Sequence, residues 1–100
     1  HFSWFNEKVN TEKIQYLMEE FYSGAKFIKV LKKDEGISKN GYLRPDNLVG
    51  TNFLDISVFG NDDNNQLIIC SRLDNLGKGA SGAAIQSMNI ALGFEETLGL

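Results

Sequence analysis

Residues 48–73 read LVGTNFLDISVFGNDDNNQLIICSRL, and the reading of this stretch decides the fold. Leu54, Ile56 and Val58 alternate with Asp55 and Ser57 between Phe53 and Phe59, the period of two expected of a strand with one apolar face. Gly60–Asn65 (GNDDNN) is a dense turn signal, and Gln66–Leu73 reads as a strand again. The stretch is therefore an antiparallel hairpin of strands Leu48–Phe59 and Gln66–Leu73 with a six-residue exposed loop. Its Leu54/Ile56/Val58 face should lie under a helix, and Asp62 and Asp63 at the tip should tolerate substitution.

Toward the N-terminus, Ile14, Leu17, Met18, Phe21 and Tyr22 recur at the spacing of one helical face. Asn10 and Thr11 offer capping oxygens, Glu12 suits the first turn, and Gly24 is placed to be a left-handed stop. The spacing predicts a helix over about 11–23, a strand at Ala25–Leu31 after it, and a short aromatic strand at His1–Phe5 before it. Lys32–Asn47 is a polar stretch of sixteen residues with no apolar period. A loop of that length is a functional segment, a partner arm or a mobile connection. Toward the C-terminus, Gly77-Lys78-Gly79 leads into a helix over about 79–92. Its Ala80, Ala83, Ala84, Ile85, Met88, Ala91 and Leu92 are small or apolar nearly all round, which predicts a buried, closely packed element ended by Gly93. The order β-α-β-β-β-α gives the α+β (α/β) class, with a mixed, mainly antiparallel sheet covered by helices.

Composition limits the function. The 100 residues are one domain or a piece of one. The first fifty carry eight basic and seven acidic side chains, and the last fifty carry two and six. Such a balance argues against nucleic acid as a partner. A single cysteine excludes an internal disulfide and suits a reducing compartment. No apolar run has the length of a membrane span. The chain opens on His1 already inside an apolar run, which suggests a segment of something longer.

Gly77-Lys78-Gly79-Ala80-Ser81-Gly82 matches G-x-G-x-x-G, the pattern that brings a backbone close to a pyrophosphate at a helix N-terminus. The following parallel strand with its acidic residue is missing, and Lys78 is not followed by Ser or Thr as a phosphate loop requires. Small residues that let a helix pack tightly account for the match. Cys70 lies mid-strand among Leu67, Ile68 and Ile69 with no histidine but His1 to serve as its base, so it reads as a structural thiol. Lys26, Lys29, Lys32 and Lys33, interleaved with Asp34 and Glu35, read as a solvated edge, and Trp4 with Phe2 and Phe5 as sheet core. Asp74 and Asn75 stand at a strand-to-helix corner. Either they cap the helix and hold the turn, or the Asn75 amide meets a ligand group that both donates and accepts.

Leu73-Asp74-Asn75-Leu76-Gly77-Lys78-Gly79-Ala80-Ser81-Gly82, with Ala84-Ile85-Gln86-Ser87-Met88-Asn89 and Gly93-Phe94-Glu95-Glu96-Thr97-Leu98-Gly99-Leu100, closely resembles the C-terminus of the N-acetyl-gamma-glutamyl-phosphate reductases. That family ends in I-D-N-L-x-K-G-A-x-G-Q-A-x-Q-N-x-N-L followed by G-x-x-E-T-x-G-L. Glu20-Phe21-Tyr22, Phe27-Ile28-Lys29-Val30 and Val49-Gly50-Thr51-Asn52-Phe53-Leu54-Asp55-Ile56 resemble its upstream stretches more loosely. Gly77, Ala83 and Ser87 depart from the usual residues. Aspartate-semialdehyde dehydrogenase is similar in its looser form of the corner motif and supplies the alternative.

The resemblance implies an NADP-dependent reductase that converts N-acetyl-gamma-glutamyl phosphate to N-acetylglutamate 5-semialdehyde in arginine biosynthesis, a cytoplasmic (or organellar-matrix) homo-oligomer. Residues 1–76 would be part of its catalytic and dimerisation domain. Residues 77–100 would be a C-terminal helix and tail packed on a cofactor domain absent from this chain. The family's nucleophilic cysteine and catalytic histidine motifs have no counterpart here. Asn75, Lys78 and Gly79 would contact the cofactor, Asn75 through the nicotinamide carboxamide. From another class, the rival is a non-catalytic assembly module.

Overall fold

The computed structural model describes residues 8–44 and 46–100. The strand expected at His1–Phe5, and Pro45, lie outside the described residues. Helix α1 spans Thr11–Phe21. Strands β1 (Ile28–Val30), β2 (Leu54–Asn61) and β3 (Gln66–Leu73) form one sheet in the order β1-β2-β3, and helix α2 (Gly82–Leu92) closes the chain. β1 runs parallel to β2 and β3 antiparallel to it, so the α+β class and the mixed, mainly antiparallel sheet stand as expected.

The expected cap forms at α1: the Asn10 side chain accepts from the Lys13 backbone N–H at 2.9 Å, and Glu12 lies in the first turn. The stop differs. Gly24 is not left-handed. The helix ends at Phe21, and two short turns replace the expected cap: the Ser23 N–H donates to Glu20 O and the Ala25 N–H to Tyr22 O. The next strand is correspondingly shorter than Ala25–Leu31, although Phe27 and Leu31 still bond β2 through the Leu54 N–H and the Ile56 carbonyl.

β2 begins at Leu54, not Leu48. Its expected first residues are coiled into turns: the Thr51 hydroxyl donates to Leu48 O, the Phe53 N–H donates to Thr51 Oγ1, and Gly50 has φ +76°. Backbone bonded to itself in this way cannot join a ladder. At the other end β2 runs two residues further than expected, leaving a loop of only Asp62–Asn65 with Asn65 left-handed.

Leu54, Ile56, Val58 and Gly60 share the face toward α1. A Cβ on Gly60 would collide with the Thr11 side chain, which places the start of α1 directly over that residue. Ile56 and Val58 are buried there, and Val9, Phe27 and Leu31 complete the buried apolar set. On the opposite face the stretch 31–44 meets the sheet at its Asp55–Arg72 end. Asp55 faces Arg72 across the ladder and pairs with it at 2.9 Å, with each side chain 11% exposed. Arg72 also donates to Arg44 O, and Gly36 lies so close that a Cβ would stand 2.9 Å from the guanidinium. The long polar stretch thus has structural work. A parallel β1–β2 pair needs a crossover, and this one is closed on itself by the Ile37–Leu43 bridge.

The expectation of an enclosed C-terminal helix is not met by the described residues. In α2 only Gly82 and Asn89 are buried, while Met88, Ile90 and Leu92 are half or more exposed. Gly93, at φ +73°, ends the helix as expected.

Candidate functional site

The corner between β3 and α2 is built on Asp74. Its Oδ2 accepts the Gly50 N–H at 2.8 Å and its Oδ1 the Leu76 N–H at 3.1 Å. These two backbone donors, with that of Gly77, hold the Asp74 carboxyl below its ordinary value. The Asp74 carbonyl takes the Gly79 N–H at 2.9 Å. The backbone donors of this turn, which an outside anion would use, are in large part taken by Asp74 itself.

The helix does not start at Gly79 but with a π-helical turn, Gly77–Ser81, whose Ser81 N–H and hydroxyl both reach Leu76 O. Its glycines answer to packing. A Cβ on Gly77 would stand 2.5 Å from Thr51 O, and one on Gly82 would collide with the Asn52 side chain. The first and last glycines of G-x-G-x-x-G therefore seat the helix start against Thr51 and Asn52, as the small-residue reading expected.

Asn75 and Gly79 come together at this corner: Asn75 Oδ1 lies 3.2 Å from where a Gly79 Cβ would be. Both are exposed. Lys78, the third expected residue, is half-buried and engaged within the fold. Its Nζ donates to Gln86 Oε1 and stands 5.7 Å from the centroid of the Phe27 ring, which packs edge-on against Phe53. Asn52 Nδ2 donates to the same Gln86 oxygen at 3.1 Å, and Gln86 Nε2 donates to Glu96 at 2.7 Å. Asn89, 1% exposed, donates to Glu96 O and Leu98 O and so fastens the tail to α2. Glu95 pairs with exposed Lys26; their hydrogen bond raises the Lys26 ammonium and lowers the Glu95 carboxyl. Sequence reasoning quoted Asn52, Gln86, Asn89 and Glu96 only within the family resemblance and gave them no role, because isolated amides and acids carry no periodic signal.

Cys70 is half-buried on β3, opposite Ser57. No group of three His, Cys, Asp or Glu side chains able to hold a metal occurs among the described residues. None of their helices is long and apolar enough to cross a membrane.

Comparison with known proteins fits this architecture. The family model described as semialdehyde dehydrogenase, dimerisation domain, matches residues 2–75. The N-acetyl-gamma-glutamyl-phosphate reductase 2 of Nostoc sp. is 45% identical over 91 residues, which are 89% of this chain and 28% of that protein. The N-acetyl-gamma-glutamyl-phosphate reductase of Methanococcus maripaludis is 41% identical over 98 residues, 98% of this chain and 26% of that protein. A Nitrosopumilus maritimus protein, provisionally named a LysW-L-2-aminoadipate/LysW-L-glutamate phosphate reductase, is 44% identical over 84 residues, 84% of this chain and 24% of that protein. The chain thus spans about a quarter of the length of the curated relatives it matches. With a family match over three-quarters of its length, the chain belongs to the semialdehyde dehydrogenase dimerisation-domain family.

Proposed function

We propose that this chain is the C-terminal part of an NADP-dependent reductase that converts N-acetyl-gamma-glutamyl phosphate to N-acetylglutamate 5-semialdehyde, a step of arginine biosynthesis. One observation carries the reading: relatives named for reduction of that phosphate are 41–45% identical along 89–98% of the chain. The name of the Nitrosopumilus relative adds a second phosphate reductase, which supports an acyl phosphate as the substrate class.

In this reading the chain supplies no nucleophile or proton donor; those belong to the rest of the parent protein. It supplies the corner. The exposed Asn75 side chain suits the nicotinamide carboxamide, because one amide satisfies another's donor and acceptor together. Gly79 lies against it with no side chain to block approach, and Lys78, whose ammonium is held by Gln86, contributes positive charge to the same turn. The cofactor brings the hydride; these residues orient the ring that carries it. The apolar side chains that α2 leaves exposed, Met88, Ile90 and Leu92, support packing of residues 77–100 on a cofactor domain. A dimerisation domain supports an oligomer, which we take to be homomeric.

The test is turnover by the full-length protein. NADPH oxidation that requires N-acetyl-gamma-glutamyl phosphate supports the reading; oxidation only with another acyl phosphate, such as aspartyl phosphate, replaces the substrate; none with either rejects it.

A further inference from the structure

Gln86 stands where three distant segments meet. Its Oε1 accepts from Lys78 Nζ and from Asn52 Nδ2, and its Nε2 donates to Glu96. The two charged partners permit one orientation of the amide, since an ammonium only donates and a carboxylate only accepts. A flipped amide would set donor against donor and acceptor against acceptor. The backbone of Glu96 is anchored by the buried Asn89, which donates to its carbonyl. Gln86 is therefore a fixed acceptor. Lys78, in turn, is part of the π-helical turn whose neighbouring Gly77 touches Thr51 and whose Gly79 abuts Asn75. The Lys78–Gln86 contact, with Gly77 set against Thr51, ties the turn beside Asn75 to α2.

We propose that Gln86 is a positioning residue for the cofactor corner: it anchors Lys78, and through Lys78 fixes the Asn75–Gly79 turn that receives the nicotinamide. The inference rests on the functional reading above and adds to it a residue with no contact to the cofactor. Its consequence is that binding depends on a hydrogen bond remote from the ligand.

NADPH affinity of the full-length protein, measured by fluorescence titration beside its melting temperature, tests this. Gln86→Leu removes both the acceptor for Lys78 and the donor to Glu96 and should weaken NADPH binding about five- to tenfold. The double variant Gln86→Glu/Glu96→Gln restores every bond with the polarity of the Glu96 contact reversed, and its affinity should lie within about twofold of the unaltered protein. A purely structural Gln86 would lower the melting temperature of Gln86→Leu and leave the affinity of the folded protein unchanged, and that result overturns the proposal. So does a double variant as weak as Gln86→Leu. Should Gln86→Leu fail to fold, Gln86→Met, which keeps the side-chain length and loses the oxygen acceptor, must bind more weakly than the double variant; equal affinities overturn the proposal. Failure of the unaltered protein to bind NADPH overturns this inference and the functional reading together, whereas normal binding with an unaffected Gln86→Leu overturns this inference alone.

Discussion

The Asp74 carboxylate accepts the backbone N–H of Gly50 across 24 residues of chain, at 2.8 Å, and so ties the turn before β2 to the turn before α2. Its second oxygen takes Leu76. Acid titration should expose this tie. The backbone donors lower the folded-state value of Asp74, so its stabilisation is present above the unfolded carboxyl value and is lost as pH falls through the lower folded one. Asp74→Asn should melt below the unaltered protein at neutral pH, and the gap should close below about pH 4. Thermal melts from neutral to acid pH check this; a gap independent of pH would show that the charge is immaterial.

Glycine substitutions separate close contact from mere turn-making. Gly82→Ala should cost about 1–3 kcal/mol, because the added methyl meets Asn52 and the Gly77 carbonyl. Gly24→Ala, with open space around it and no positive φ, should be neutral or stabilise by about 0.4–1 kcal/mol. Denaturant unfolding of the two variants measures both. A tolerated Gly82→Ala would mean that the helix start does not sit against Asn52.

Much of this fold was legible in the sequence, and the failures share a cause. The alternation Leu54-Asp55-Ile56-Ser57-Val58 and the stripe Ile14, Leu17, Met18 report backbone periodicity directly, so β2 and α1 were found. The ends of elements were misplaced where a long-range partner overrides the local signal. Gly50 looked like strand until Asp74 claimed its N–H, and Gly60-Asn61 looked like loop until the ladder extended through Leu67 and Gln66. At the corner, residue types announced Asp74, Asn75 and the close-packed glycines. The Asn52–Gln86–Glu96 connections were invisible, because partners 34 and 10 residues apart meet only once the chain is folded.

Asp62 was expected to tolerate substitution, yet the structure gives its carboxylate partners. Its carboxylate accepts from the Thr11 N–H at 3.1 Å and from the Thr11 hydroxyl, so the hairpin tip caps α1 from across the fold. Asn65 Oδ1 accepts the Val9 N–H at 2.6 Å, just ahead of the cap. Asp62→Ala should cost about 0.5–2 kcal/mol, the range for lost helix caps, whereas Asp63→Ala should stay within about 0.5 kcal/mol. Equal melting temperatures for the two variants would show that the cap contributes nothing.

The Asp55–Arg72 pair should be among the most sensitive points of the sheet. Asp55→Ala leaves a nine-tenths buried guanidinium without its counter-ion and should cost about 3–5 kcal/mol. Ile56→Ala, one residue along on the other face, should cost about 2–5 kcal/mol through the cavity it leaves. Chemical denaturation of both variants gives the comparison, and a mild Asp55→Ala would mean that water reaches the pair.

The central claim is that this corner receives the nicotinamide of a reductase, and Asn75 is where it is tested most directly. In the full-length protein, NADPH affinity and melting temperature of Asn75→Ala should be measured together. Its side chain is exposed, so the cofactor role predicts an unchanged melting temperature with NADPH binding weakened about tenfold, the loss of one or two well-made hydrogen bonds. A lowered melting temperature with unaltered affinity would contradict the account, and would leave Asn75 as no more than part of the turn that Asp74 holds.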